Sequence, residues 1–99
     1  MNIKIIKLIT SEEIVAEVVS GDVYSESIKI KNAVALMLQP TRDGKLSYGF
    51  VPFGAMIEGD ISIKNSNIVY FADINEDLKN NYNSMFGGIV TPPKTLITG

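Results

Sequence analysis

The side chains that could carry out chemistry in this 99-residue chain are mostly carboxylates. They form three acidic pairs: Glu12-Glu13, Glu58 with Asp60, and Glu76-Asp77. Two carboxylates can act as general acid and base when a base or a metal lies beside them. The sequence has no histidine and no cysteine, so the usual general base and the usual zinc ligands are missing. We therefore expect no enzyme, no metal site and no cofactor, and interpret these acids as turn and helix-start residues.

The basic residues give no strong signal by themselves. The formal net charge is −2, so the chain as a whole does not attract nucleic acid, and any such binding needs a local patch. Lys29 and Lys31 lie on the polar side of an alternating segment, where solvation is the more common role.

Length and composition favour a single compact domain over residues 1–99. Hydrophobic residues make up 45% of the chain, which argues against disorder. No apolar run approaches the ~20 residues that span a bilayer, and the N-terminus lacks the features of a signal peptide. We therefore expect a cytoplasmic protein without a membrane partner.

β-branched residues and regularly spaced turns predict an all-β fold. The clearest segment is 27–39, where the apolar residues share one side of the alternation: Ile28, Ile30, Val34, Leu36 and Leu38. Asn32 interrupts this row and is expected to mark a bend or bulge. Five strands, one of them long and bent, predict a small closed or nearly closed barrel over about residues 2–72.

One helix is expected after the barrel, over about residues 74–86. Its apolar side chains recur at helical spacing: Ile74, Leu78, Tyr82 and Met85. Asp73 or Asn75 is the expected N-cap, and Gly87-Gly88 the expected stop. An extended tail, 87–99, follows.

The predicted strand at 67–72, which follows a turn at 64–67, is apolar on both faces. Alternation places Ile68 and Tyr70 on one face and Val69 and Phe71 on the other. Since an exposed apolar edge is a liability in a monomer, we expect this strand to pair with a second subunit in a head-to-tail ring.

A turn at 64–67 links two short strands, and its sequence resembles the second motif of the Sm-like (LSm) RNA-binding family, I-R-G-x-x-I/V. The matching segment is Ile63-Lys64-Asn65-Ser66-Asn67-Ile68. Lys64 replaces the arginine and keeps the positive charge. Asn65 replaces the glycine, and asparagine is the non-glycine residue that best tolerates positive φ.

The first motif of the same family is similar to residues 14–24. Ile14–Val18 fits its hydrophobic segment with Ala16 in place of glycine, Asp22 matches its aspartate, and Tyr24 matches its stacking aromatic residue. Serine and glutamate at 25–27 stand where the family has a base-reading asparagine. Within the family, the chain looks most like the small Sm-like proteins encoded by marine phages.

The resemblance implies a strongly bent five-stranded Sm-like (SH3-type) barrel that binds RNA or single-stranded nucleic acid as a homo-oligomeric ring, in the host cytoplasm if a phage encodes it. The implied binding residues are Asp22, Tyr24, Lys64 and Asn65. Tyr24 would stack on a base, Lys64 would contact phosphate, and Asn65 would offer a donor and an acceptor to a base edge.

Two other functions fit the same sequence. A structural phage protein could use the barrel only as an assembly module, with Tyr24 and Asn65 shaping turns. A small-molecule-binding barrel is a third possibility, but five short strands enclose too little space for it. A basic pore with an accessible Tyr24 would favour binding, whereas a pore lined by Glu26 would favour the structural role, because its carboxylate repels phosphate.

Overall fold

A computed structural model of the chain describes residues 2–86, and these form a mostly β structure with one short helix. No helix in this range is long and apolar enough to cross a membrane. The elements in chain order are β1 (Ile3–Leu8), β2 (Glu13–Ser20), β3 (Ser27–Pro40), β4 (Leu46–Pro52), β5 (Ile61–Lys64), a 3₁₀ turn (Asn65–Asn67), β6 (Ile68–Asp73) and α1 (Glu76–Phe86).

The six strands form one antiparallel sheet in the order β4-β3-β2-β1-β6, with β5 also paired to β3. The 14-residue β3 has different partners along its length: 27–30 pairs with β5, and 34–40 pairs with β4. The change of partner occurs beside Asn32, which has φ +53°, and the register with β2 shifts there. The predicted bulge at Asn32 is confirmed, and its left-handed backbone bends the strand.

The barrel expected from the sequence is not closed in the structure. Six strands are present instead of five, because segment 53–60 leaves the sheet and separates β4 from β5. Among residues 2–86, β6 pairs only with β1, and no ladder joins it to β4 or β5. The three-residue 3₁₀ turn takes the chain from β5, which pairs with β3, to β6, which pairs with β1. The sheet therefore keeps open edges.

The core lies on both faces of the sheet. Alternate residues of β2 contribute to the two core clusters, with Ile14 and Ala16 on one face of the sheet and Val15 on the other. The larger cluster contains Ile6, Ile14, Ala16, Val18, Ile28, Ile30 and Ile63. Ile3, Val15 and Val34 form the second cluster, which α1 covers. Both faces of the central strands are thus protected from water.

Helix α1 is attached to the sheet mainly through Tyr82. The helix begins after Asn75, whose side-chain oxygen accepts a hydrogen bond from the Leu78 N–H at 2.9 Å, so the expected Asn75 cap is confirmed. Tyr82 is completely buried and donates a 2.7 Å hydrogen bond to the Asn32 carbonyl at the bulge. Leu78 is only half-buried.

One sequence prediction for α1 needs adjustment, and the expected stop at Gly87-Gly88 lies outside the described residues. Met85 was expected on the buried face, but it is 48% exposed, and Phe86 contacts the cluster instead and lies against the Tyr82 ring. Met85 lies three residues after Tyr82, and Phe86 lies four residues after it. Of the two, Phe86 packs against the second core cluster on the sheet. The tail expected at 87–99 lies outside the described residues.

The faces of β6 also differ from those predicted. Ile68 and Phe71 pack against the main core, whereas Val69 and Tyr70 are exposed. The reason is a register shift: Lys7 pairs with Tyr70 and the next residue, Leu8, pairs with Ile68, which leaves Val69 as an extra residue. One inserted residue reverses the alternation for the rest of a strand.

Candidate nucleic-acid interface

The loop between β2 and β3 is a tight turn built by Gly21 and Asp22. Gly21 has φ +97°, and a Cβ there would lie 2.8 Å from the Ser27 carbonyl oxygen, so only glycine fits. The Asp22 carboxylate accepts hydrogen bonds from the Tyr24 N–H at 2.9 Å and from Ser25 Oγ at 3.2 Å. Asp22 therefore shapes the turn that presents Tyr24.

Asn65 joins this loop to the turn between β5 and β6. Its side-chain Nδ2 donates to the Val23 carbonyl at 2.9 Å and to the Ser25 carbonyl at 2.8 Å. Its backbone N–H donates to the Glu26 carbonyl at 2.8 Å. Three hydrogen bonds from one residue thus bring together two segments about 40 positions apart in sequence.

These bonds change the explanation for asparagine at position 65. The sequence predicted that Asn65 replaces glycine because it tolerates positive φ. The described non-glycine residues with positive φ are Ser11 and Asn32, so Asn65 does not have positive φ. That reason was wrong, and the side-chain bonds explain the residue instead. Both Nδ2 hydrogens are already donated, so Asn65 can offer a ligand only its Oδ1 acceptor.

Tyr24 is the most exposed aromatic residue among residues 2–86, with 93% of its surface accessible. Its backbone is fixed by Asp22, while its ring has no aromatic partner in that range. The ring, almost fully exposed and without an aromatic partner in residues 2–86, is accessible for stacking.

Lys64 lies in an open cleft of about 610 Å³ next to Asn65. The other residues that line the cleft are Glu26, Ser27, Ser62 and Ser66. Lys64 is exposed, and the single ion pair within residues 2–86 joins Lys4 to Asp73, so its ammonium group is not neutralised by a salt bridge. Glu26 shares the cleft, so its charge opposes that of Lys64 at this site.

A second, smaller cavity of about 160 Å³ also has Asn65 in its lining. Its walls are mostly apolar or aromatic: Val23, Ile68, Val69, Tyr70 and Phe71, with Asn65 completing it. Sequence reasoning missed Val23 and Tyr70 as site residues. The sequence feature that could have identified Val23 is its position next to Tyr24. That position becomes informative only when the β2–β3 loop is known to contact the 3₁₀ turn.

Two of the three acidic pairs, Glu12-Glu13 and Glu76-Asp77, have local structural roles. The Glu12 carboxylate accepts a hydrogen bond from Thr10 Oγ1, and this bond lowers its pKa. Glu13 accepts the Tyr70 hydroxyl, which raises the pKa of Tyr70. Glu76 and Asp77 occupy the first turn of α1, where carboxylates favour the positive end of the helix dipole.

The structure therefore brings Asp22, Tyr24, Lys64 and Asn65 into one area, in which Asp22 and Asn65 hold the backbone and Tyr24 and Lys64 face solvent. This area therefore presents an exposed ring and a lysine, with the Glu26 carboxylate in the same cleft as the lysine. No protein-family model and no curated protein matches this chain.

Proposed function

We propose that this protein is a non-catalytic, Sm-like subunit that binds RNA or other single-stranded nucleic acid in a homo-oligomeric ring. The observation that carries the proposal is the double hydrogen bond from Asn65 to the loop of Tyr24. These bonds hold the segment of Tyr24, a ring for stacking, next to the segment of Lys64, a cation, although the two are distant in sequence. Such a surface is what unpaired nucleotides need, because their bases stack and their phosphates require a positive partner.

The two solvent-facing residues have separate roles. Tyr24 stacks on a base, and stacking is tolerant of sequence because every base has a flat face. Lys64 contacts phosphate as a point charge, since lysine lacks the planar fork of arginine. Glu26 offsets Lys64 in the cleft, so stacking contributes more of the affinity than charge does.

Ring assembly makes a weak site useful. Within residues 2–86, β5 and β6 each pair on one side only. We propose that β6 of one subunit adds to the free edge of β5 in the next, with Val69 and Tyr70 at the junction. Each site then repeats around the ring, and several weak contacts to one strand combine into a tight one.

Replacing Lys64 by alanine is expected to weaken binding of single-stranded RNA for all sequences alike. Loss of one phosphate contact should reduce the slope of log K against log salt by about 0.7 per site. Fluorescence anisotropy with labelled oligo-A, oligo-U and oligo-C over a salt series measures both effects. Lys45→Ala, at the far end of the β3–β4 hairpin, is the control and should leave the slope unchanged. An unchanged slope for Lys64→Ala would remove the lysine from the site.

Replacing Tyr24 by alanine is expected to cost roughly 1–3 kcal/mol of binding free energy per occupied site, because a stacking surface is lost. Tyr24→Phe keeps the ring and should bind like the unmodified protein. Since Tyr24 is exposed, neither change should lower the melting temperature. Equal affinities of the alanine and phenylalanine variants would show that the ring does not stack on bases.

A structural assembly module is the second candidate, and Glu26 is the observation that favours it. Its carboxylate lies in the same cleft as Lys64 and repels phosphate. Asn65, with both donors used inside the protein, then serves only to hold the two segments. This function replaces the first if the folded, assembled protein binds neither RNA nor single-stranded DNA at low salt.

A further inference from the structure

Gly49 lies in the middle of β4, and nothing within residues 2–86 requires a glycine there. Its φ is not positive, since the described glycines with positive φ are Gly21, Gly44, Gly54 and Gly59. A Cβ added at Gly49 would meet nothing within 4 Å. Glycine weakens a strand interior and often marks a place where another backbone comes close. Residues 2–86 therefore leave the glycine unexplained, and a second backbone close to it would explain it.

The strand that contains Gly49 is an edge strand, and Pro52 protects it only at its last position. Within residues 2–86, β4 pairs only with β3, and its other edge is open. Segment 46–57 contains no charged residue, although charged side chains are the usual protection of such an edge. Several large apolar side chains of the β3–β4 hairpin are exposed: Met37, Leu38, Leu46 and Val51.

The partner that fits this edge is a second copy of β4. We propose that two subunits pair their β4 strands antiparallel across a two-fold axis at Gly49. This register places Ser47 opposite Val51 and Tyr48 opposite Phe50. An uncharged strand meets its own copy without repulsion, whereas a charged partner strand would find no counterpart.

The register also extends an arrangement already present in one subunit. Tyr48 and Phe50 form an edge-to-face pair with ring centroids 5.8 Å apart, and Tyr48 is held by the side chain of Asn81 in α1. Pairing across the axis places two such pairs side by side. The glycine backbones meet at the axis, where no side chain separates them.

This contact goes beyond the proposed ring, because it uses β4 where the ring uses β5 and β6. With both contacts, two rings stack through their hairpins and the complete assembly contains an even number of subunits. With the hairpin contact alone, the protein is a dimer.

Native mass spectrometry of Gly49→Lys tests the proposal. Like charges then meet at the axis, and the mass of the assembly should fall by half. Gln39→Lys adds the same charge to the same hairpin on β3, away from the edge, and should leave the mass unchanged. Mixing Gly49→Lys with Gly49→Glu should restore the full mass, because opposite charges now face each other.

Three results would overturn the proposal: an odd number of subunits in the unmodified protein, an unchanged mass for Gly49→Lys, or no restoration on mixing. Circular dichroism of each variant shows that it folds, which the open space around Gly49 leads us to expect. Failure of the ring is recognised separately. If Val69→Lys leaves a dimer that Gly49→Lys then splits, the hairpin contact stands even where the ring does not.

Discussion

Val69→Lys is expected to break the proposed ring and to lower the affinity for long single-stranded RNA by roughly 100- to 10,000-fold, the range that multivalency contributes. Val69 is 59% exposed, so the charge is tolerated by a single subunit. On an edge strand, however, a lysine opposes pairing with a neighbour. Light scattering gives the mass, and anisotropy with RNAs of increasing length gives the affinity.

The design separates assembly from local charge. A lysine beside Asn65 would by itself favour phosphate, so a fall in affinity cannot come from the added charge. Val69→Thr keeps the β-branched shape without the charge and should retain the ring. Unchanged mass and affinity for Val69→Lys would show that β6 is not the subunit contact.

Tyr82→Ala is expected to destabilise the protein by about 3–5 kcal/mol, as large-to-small changes of buried aromatic residues do. Tyr82 is fully buried in the second core cluster and is also the hydrogen-bond donor to Asn32. Its loss would leave a cavity and an unpaired carbonyl at the bulge. Urea unfolding followed by circular dichroism measures the change. Ser84→Ala, at an exposed position of the same helix, is the control. If Tyr82→Ala changes the free energy of unfolding no more than Ser84→Ala does, Tyr82 does not anchor α1 to the sheet.

The same side chain makes the stability of the protein fall at alkaline pH. Burial raises the pKa of Tyr82 to about 12, from 10.0. Between pH 10 and 12 the Tyr82 hydroxyl stays neutral in the folded protein but ionises in the unfolded chain. Its contribution to the free energy of unfolding is therefore complete below pH 10 and is lost as the pH rises toward 12. This loss is on the order of 3 kcal/mol, since each pKa unit corresponds to about 1.4 kcal/mol. Tyr82→Phe is less stable at pH 8 but should lack this loss, and parallel profiles of the two proteins would contradict the assignment.

The parts of the fold that the sequence predicted are those set by local patterns. The alternation in β3 and the interruption at Asn32 identified a long bent strand, because burial on one face imposes a period of two. Asn75 was identifiable as a cap because its side chain bonds an N–H only three residues later. Tyr24 and Lys64 could be proposed from resemblance, and the contact between their segments awaited the structure.

The errors arose where distant parts of the chain decide the outcome. The extra residue at Val69 depends on how β6 meets β1, and nothing in its own sequence marks the shift. The role of Asn65 depends on carbonyls of residues 23 and 25, which local sequence does not bring near. Closure of the sheet likewise depends on where β6 crosses after the 3₁₀ turn.

The Asn65 contacts also determine when the binding surface exists. They span 42 and 40 residues, so closing them carries a large loop entropy and contributes to a high contact order. A peptide with only one of the two segments lacks the surface, and a nascent chain acquires it only after β5 has emerged. A ligand that touches both segments binds the native state alone, so its binding free energy adds to folding by mass action. Occupied protein would then resist unfolding and proteolysis more than empty protein, which makes the ligand itself part of what keeps the fold together.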